Sequence, residues 1–357
     1  MSPELIIGHR LVNQRLLQNN LATADAVISH MIAIQAQEFG PARWAIGIRA
    51  NKLSDESILE AFNTGKILRT HLLRPTWHFV SNADIRWIIH LTAPHITARS
   101  KYYHKQEGLD ATVFSKSNKI ISRCLRDQNF LTRKEIEQEL MKSKIRVSGI
   151  GLSFIMMNAE LEAIICSGPR KGNQFTYALI DDMVAPQKRL NRDEALVKLF
   201  NQYIISRGPA SLADFSYWSG LSAADANKAL NMSDNNLSVC RHHDHQLFFL
   251  PETNLSDQEV SAATRSGNSG TTILLPDYDE YLMSYKDKSL LIAGSSTASM
   301  NKPVYNRMVI EKGRIIGSWR KAETESDVEV QMRTGIKLSV TGKTRLQKAI
   351  YRYLKFV

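Results

Sequence analysis

The sequence predicts an α+β protein: three tandem winged helix-turn-helix units followed by a small C-terminal β-barrel domain. Three observations carry that expectation. Short helices closed by a β-hairpin recur three times up to residue 255, at a spacing too long for a solenoid repeat. After a polar stretch at 252–272, ETNLSDQEVSAATRSGNSGTT, which reads as a linker or loop, the pattern changes to β-prone runs. The chain is also basic, with 46 Lys+Arg against 35 Asp+Glu and a formal net charge of +11. That balance attracts polyanions, nucleic acid first among them. A chain of 357 residues exceeds one typical core of about 100–150 residues. The expected units are 1–105, 106–190, 191–255 and 270–357.

In the first unit Val27, Ile28, Met31 and Ile32 form an apolar stripe at helical spacing, ended by Gly40-Pro41. Ala42 to Ile48 reads as a second short helix. Ser54-Asp55-Glu56 starts a third, with Ile58, Leu59 and Phe62 as its stripe up to Gly65. The runs KILRTHLL and TWHFV, joined at Arg74-Pro75, complete a hairpin. Three helices and a hairpin make the winged helix-turn-helix pattern, in which a helix enters the major groove and the hairpin leans on the backbone. In the second unit Thr132 caps a helix over Arg133 to Lys144, and another runs from Gly149-Ile150-Gly151 through Ala163. AIICSGPRKGNQFTYALI is then strand, turn, strand, with a basic polar tip at Ser167–Gly172. In the third, Asp193 to Ser206 is amphipathic and two short helices split at Gly220. LSVCRHHDHQLFFLPE closes the unit as a hairpin. The C-terminal part holds several strand-like runs, with Lys312-Gly313 as a turn, and a closing helix from Thr344 to Phe356.

Several function classes fall away. Hydrophobic content of 43% and charged content of 23% are those of ordinary globular proteins. No apolar run approaches the roughly 20 residues that span a bilayer, and Glu4 sits before the only short apolar patch at the N-terminus, so no secretion signal is expected. Cys124, Cys166 and Cys240 are far apart with no CxxC, which fits a reducing cytoplasm and argues against a disulfide framework or zinc ribbon. GxSxG, Walker, HExxH and helix-opening GxGxxG patterns are absent. CRHHDH, Cys240 to His245, alternates its side chains between two strand faces, a poor tetrahedral cage. Asp277, Asp279 and Glu280 lie on or beside a strand. They suit either outward polar positions or a Mg²⁺ site of a nuclease, although no second carboxylate cluster completes a two-metal centre.

The stretch MIAIQAQEFGPARW leaves a question. Gln35 continues the apolar stripe four residues after Met31, and Gln37 follows one residue later. A buried amide without partners costs roughly 1–3 kcal/mol. On an ideal helix the two would point about 200° apart, so they share a cleft only if the helix unwinds between them. Spacing alone reads as a helix C-terminus with a hydrogen-bonded core glutamine.

IAIQAQEFGPARWAIGIR followed by LRTHLLRPTWHFV resembles the N-terminal signature of the tandem winged-helix DNA glycosylase family, of the AlkZ and YcaQ type. LLPDYDEYLMSYKDKS and VIEKGRIIGSW resemble later motifs of that family. The likeness spans nearly the whole chain, although the middle matches by pattern more than by residues. Its specific part is the triplet Gln35-Ala36-Gln37, which matches the family's catalytic Gln–aliphatic–Gln or Gln–aliphatic–Asp motif.

The resemblance implies a monofunctional glycosylase, with no metal and no cofactor, that hydrolyses the N-glycosidic bond of cationic N3- or N7-alkylated purines or crosslinked adducts. It implies Gln35 and Gln37 as catalytic residues. Arg43, Arg69, Arg74, Trp77 and His78 in the first unit, with Arg170 and Lys171 at the second hairpin tip, are the candidate DNA contacts. The expected partner is double-stranded DNA, and the expected state a cytoplasmic, nucleoid-associated monomer. The alternatives are a non-catalytic winged-helix DNA binder or regulator, in which both glutamines pack in the core, and the metal nuclease.

Overall fold

The computed structural model describes residues 1–17, 19–233, 236–251, 260, 272–292, 307–322 and 327–357. Most of the predicted linker, 252–259 and 261–271, lies outside them. Helix α1 (Pro3–Asn13) begins with Ser2 accepting from the Leu5 amide and Pro3 in the first turn, a strong start signal. Next come α2 (Ala24–Met31), β1 (Ile34–Gln35), α3 (Phe39–Gly47), α4 (Asp55–Asn63) and the hairpin β2 (Ile67–Leu72)–β3 (Thr76–Ser81). β1 pairs with β3, so the sheet order is β1-β3-β2.

The long α5 (Ile85–Gln106) leads to α6 (Ala111–Cys124), β4 (Leu131–Thr132), α7 (Arg133–Lys142), α8 (Gly149–Leu161) and the hairpin β5 (Ile165–Ser167)–β6 (Thr176–Leu179). This sheet has the order β4-β6-β5, the same topology as the first. Thr132 and Glu135 close a reciprocal capping box at the start of α7, as expected of Thr132. A short α9 (Ile180–Met183) precedes α10 (Arg192–Arg207), α11 (Leu212–Ser219), α12 (Ala223–Met232) and the hairpin β7 (Ser238–His242)–β8 (His245–Phe249). Ala210 bridges antiparallel to Phe248, in the place that β1 and β4 hold in the other sheets. The order helix, short strand, helix, helix, hairpin is thus repeated three times.

After β9 (Thr272–Leu274), α13 (Glu280–Met283) leads to β10 (Met308–Glu311), β11 (Arg314–Lys321), β12 (Val328–Met332) and α14 (Val340–Phe356). Among the described residues these strands form an open antiparallel sheet of order β12-β11-β10-β9, not the closed barrel expected. Other elements cover the sheet instead: Trp319 packs edge-on against Tyr353 of α14, and Trp44 of α3 packs against Tyr353 and Phe356.

One apolar core joins α1–α4 to this sheet, through Ile7, Ile34, Trp44 and Phe79 on one side and Leu274, Ile310 and Trp319 on the other. A second joins the β2–β3 hairpin and α5 to the third repeat, through Leu72, Val80, Phe200, Phe215 and Trp218. A third lies inside the second repeat, around Ile121, Ile136, Leu140 and Ile155. The first and third repeats therefore meet across the hairpin. Gly220 makes that contact possible: it ends α11 at φ 75°, and a Cβ there would lie 2.8 Å from the Leu73 carbonyl oxygen. No helix among the described residues is long and apolar enough to cross a membrane.

Candidate active site

The helix carrying the apolar stripe stops at Met31, earlier than its periodicity predicts. Ile32 takes φ 60°, a costly conformation for a β-branched residue, and the chain leaves as strand β1. Gln35 is therefore a strand residue opposite His78, not the end of a helix. Buried charges hold the turn. Arg207 of α10 donates to the Met31 and Ala33 carbonyls at 2.9 and 3.1 Å and to Glu280 at 2.7 Å. Glu280 in turn accepts from the backbone N–H of Gln35 at 2.9 Å and from the Trp218 indole at 2.9 Å. Both charged side chains of this pair are fully enclosed. Burial pushes the Glu280 carboxyl up, but the Arg207 guanidinium and its hydrogen bond outweigh that and hold it below the ordinary value.

Asp279 beside it accepts two hydrogen bonds of 2.8 Å from Arg49, another enclosed pair, and caps α13 through the Tyr281 amide. Asp277 pairs with Arg307. The acidic cluster is thus a clasp of arginine pairs at a helix start. Asp279 and Glu280 do not face outward from a barrel strand, and a divalent ion would have to displace their arginines. CRHHDH forms the β7–β8 hairpin, with His243 and Asp244 at the turn. Among the described residues no group of His, Cys, Asp and Glu is placed to hold a metal.

The other face of the triplet is fixed by the β2–β3 hairpin. The Ala36 amide donates to the Trp77 carbonyl at 2.7 Å. Arg69 donates to the Ala36 carbonyl at 2.9 Å and reaches that of Gln37 at 3.5 Å. Its guanidinium lies over the Trp77 ring at 4.2 Å and the Phe175 ring at 4.7 Å. Burial lowers its pKa to about 10, well above neutral. Arg69, expected as a DNA contact, is only 8% exposed and is engaged by the triplet's backbone. His78, also expected as a DNA contact, is withdrawn from the surface. It is fully buried, its Nδ1 lies 2.9 Å from the Thr76 carbonyl oxygen, and burial followed by the Arg74 charge pushes its pKa down to about 3.

The two glutamines differ. Gln35 is 5% exposed, and its Oε1 accepts from Arg74 at 3.0 Å. Arg74, at the hairpin tip, also lies over the Tyr217 ring at 5.5 Å, and Lys288 lies 5.0 Å from the same ring. Burial lowers the Lys288 pKa to about 8, so this flank is cationic at neutral pH. Gln37 is exposed, and no partner holds its amide among the described residues.

Arginines and aromatics alternate beside Gln37. Arg43 lies 5.0 Å from the Phe39 ring and Arg170 lies 5.2 Å from it. Arg170 also lies 4.3 Å from Phe175, on whose ring Arg69 rests. Arg43 is additionally paired with Asp55 at 2.7 Å, and Lys171 with Glu135 at 3.0 Å. The Arg170 amide donates to Asn63, tying the second hairpin to α4. The two tips predicted far apart in sequence, 73–75 and 168–172, thus both border the triplet. Behind Trp77, Glu160 of α8 accepts from the indole at 3.5 Å and pairs with His71.

The family model described as DNA glycosylase AlkZ-like matches residues 28–356. The chain belongs to the AlkZ-like DNA glycosylase family. A curated relative, the interstrand DNA cross-link repair glycosylase of Streptomyces sahachiroi, is 22% identical over 338 residues, covering 90% of this chain and 88% of the relative. The solved structure of the Streptomyces sahachiroi DNA glycosylase AlkZ superposes with a TM-score of 0.82 at 19% identity, covering 100% of this chain and 96% of that one.

The sequence alone did not single out Phe39, Phe175, Glu160, Arg207, Tyr217 or Lys288. Phe39 was the most accessible of these, standing two residues after Gln37.

Proposed function

We propose that this AlkZ-like protein hydrolyses the N-glycosidic bond of cationic N3- or N7-alkylated purines or crosslinked adducts in duplex DNA, with Gln35 and Gln37 as the catalytic pair. The observation that carries the reading is an exposed Gln37 side-chain amide in the bend just after strand β1, which is fixed from both sides, bordered by Arg43, Arg170 and their aromatic partners. The printed name of the Streptomyces relative, an interstrand cross-link repair glycosylase, supports the adduct class.

A purine alkylated at N7 already carries positive charge. When the C1′–N9 bond breaks, its electron pair neutralises the base, which leaves without a general acid. The sugar becomes oxocarbenium-like, as in other glycosyl transfers, and water adds at C1′, releasing its proton to solvent. The protein then needs only to place that water and to offer negative dipole to the cation. The side-chain carbonyl of Gln37 is unengaged and serves for this. Arg74 fixes the orientation of Gln35, whose second lone pair and NH₂ remain for the water. Undamaged purines, which must be protonated to leave, fall outside the reach of two amides.

In this reading the three repeats act as winged helices around the duplex, with Arg43, Arg74, Trp77, Arg170 and Lys171 toward DNA, on a protein that works as a monomer in the cytoplasm. Incubation with a duplex bearing N7-methylguanine, followed by alkaline cleavage of abasic sites, tests it. Strand breaks at the lesion and none in the undamaged duplex are expected. Tight binding without any excision would instead establish the non-catalytic DNA binder, the reading favoured by the burial of Gln35.

A further inference from the structure

The far end of the second repeat carries a surface that the triplet does not use. The last turns of α5 expose two adjacent tyrosines, Tyr102 at 66% and Tyr103 at 55%. Their rings meet edge to face at 5.5 Å, and Tyr103 continues onto Phe154 of α8 in a stacked arrangement at 6.3 Å. Ile150, one turn earlier on α8, is 64% exposed. Single exposed apolar residues are ordinary on a protein surface. Here Tyr102, Tyr103 and Ile150 are exposed beside the half-buried Phe154 on two packed helices, and together they form a ledge.

The charges around the ledge are mainly of one sign. Arg99, Lys101 and Lys105 on α5, and Lys144 and Arg146 in the loop before α8, are exposed, and none forms an ion pair among the described residues. Glu107 and Asp110 are the nearby acids, and Asp110 is engaged as the cap of α6. Phosphates alone would require only the cations. A protein partner would be met more often by a rim of mixed charge. Stacked aromatic faces within a basic field match unpaired nucleotides, whose bases stack on rings while the backbone follows the cations. A paired duplex hides its base faces.

We propose that this ledge is a second nucleic-acid site, which stacks unpaired nucleotides of single-stranded DNA. Its placement relates it to the triplet. Ile150 and Glu160 lie ten residues apart on α8, about 15 Å along the axis, and Glu160 contacts the hairpin beside Gln37. That span corresponds to about four or five base steps of a stacked strand at roughly 3.4 Å each. The protein would therefore favour lesions flanked by an unpaired segment, such as a gap or fork. The inference does not depend on the chemistry of Gln37.

The test is fluorescence anisotropy of the full-length protein with labelled oligo-dT and with a blunt duplex of equal length. The double variant Tyr102→Ser/Tyr103→Ser should bind oligo-dT at least about 5-fold more weakly, since one stacked base is worth roughly 1–3 kcal/mol, while duplex affinity stays within about 2-fold. Tyr102→Phe/Tyr103→Phe should retain parental affinity, because the rings remain. Lys101→Gln/Lys105→Gln should lower the salt slope for oligo-dT by up to about 1.4. Failure of the parent to bind oligo-dT would overturn the proposal. So would unchanged oligo-dT affinity in the serine variant, an equal loss on duplex, or a loss in the phenylalanine variant as large as in the serine one. Each outcome is separable from excision at N7-methylguanine, which the blunt duplex reports independently.

Discussion

Replacing Glu280 by Gln probes the link between the C-terminal clasp and the strand that carries Gln35. The substitution preserves shape and removes one buried charge. Glu280 Oε1 accepts from the Gln35 amide, and Oε2 accepts from Arg207 at 2.7 Å and Trp218 at 2.9 Å. A glutamine can still serve the Gln35 amide with its oxygen, but its NH₂ then faces two donors. Arg207 is left as an uncompensated cation in an enclosed site, where breaking such a pair costs about 3–5 kcal/mol. Unfolding entropy of roughly 2.1 cal/mol/K per residue, over 357 residues, converts that loss to a fall in Tm of about 4–7 °C. Thermal unfolding by circular dichroism measures it. Single-turnover excision should fall as well, since Arg207 also holds the Met31 and Ala33 carbonyls at the turn into β1. A variant that melts within about 1 °C of the parent and excises at the parental rate would refute the claim that this pair positions Gln35.

Gln37→Ala should leave DNA binding nearly intact and slow single-turnover excision by about 10²–10³, the size of one lost preorganised polar group, whereas Gln37→Asp should keep part of the rate. Alanine excision at the parental rate would remove Gln37 from the chemistry. Arg170→Ala/Lys171→Ala should weaken binding to every duplex alike and lower the salt slope by up to about 1.8, or about 0.9 per phosphate contact; an unchanged slope would show that this tip does not touch DNA. His78 and His30, with pKa values pushed down by burial to about 3 and about 4, take up protons more readily when unfolded. Their stabilising effect is complete above the unfolded value near 6.5 and is lost as pH falls below it, by about 2 kcal/mol for each near pH 5. His78→Gln should flatten that part of the stability curve in denaturant titrations at stepped pH.

Local signals were legible where their partners are close in sequence. Thr132 with Glu135, Ser54 before Asp55-Glu56, and the Arg74-Pro75 turn each act within a few residues, and each element formed where expected. Besides the short α9 and α13, three longer helices escaped the reading. α1 follows a serine cap and Pro3, a start signal that was available but not used. α5 contains Pro94, normally a helix breaker. α6 is capped by Asp110 and lies between the recognised patterns. The barrel expectation had a different weakness: alternating strands predict a sheet, whereas closure depends on pairing between its edges, which no local pattern encodes.

The triplet makes the same distinction at the scale of two residues. Val27, Ile28, Met31 and then Gln35 keep helical spacing, so local preference favours a continued helix. What opposes it is the Glu280 carboxylate, 245 residues away, which accepts the Gln35 amide, together with Arg207, which takes the carbonyls on either side of Ile32. A purely apolar interior could cover this turn with no loss of stability, since buried ion pairs seldom outperform well-packed hydrophobic replacements. It could not hold these amide and carbonyl groups in the direction that turns Gln35 toward Arg74 and leaves Gln37 in solvent. The two buried carboxylates of LLPDYDEYLM, each matched to an arginine of the N-terminal or third repeat, thus hold a helical sequence as the strand that carries Gln35 and leads Gln37 into solvent.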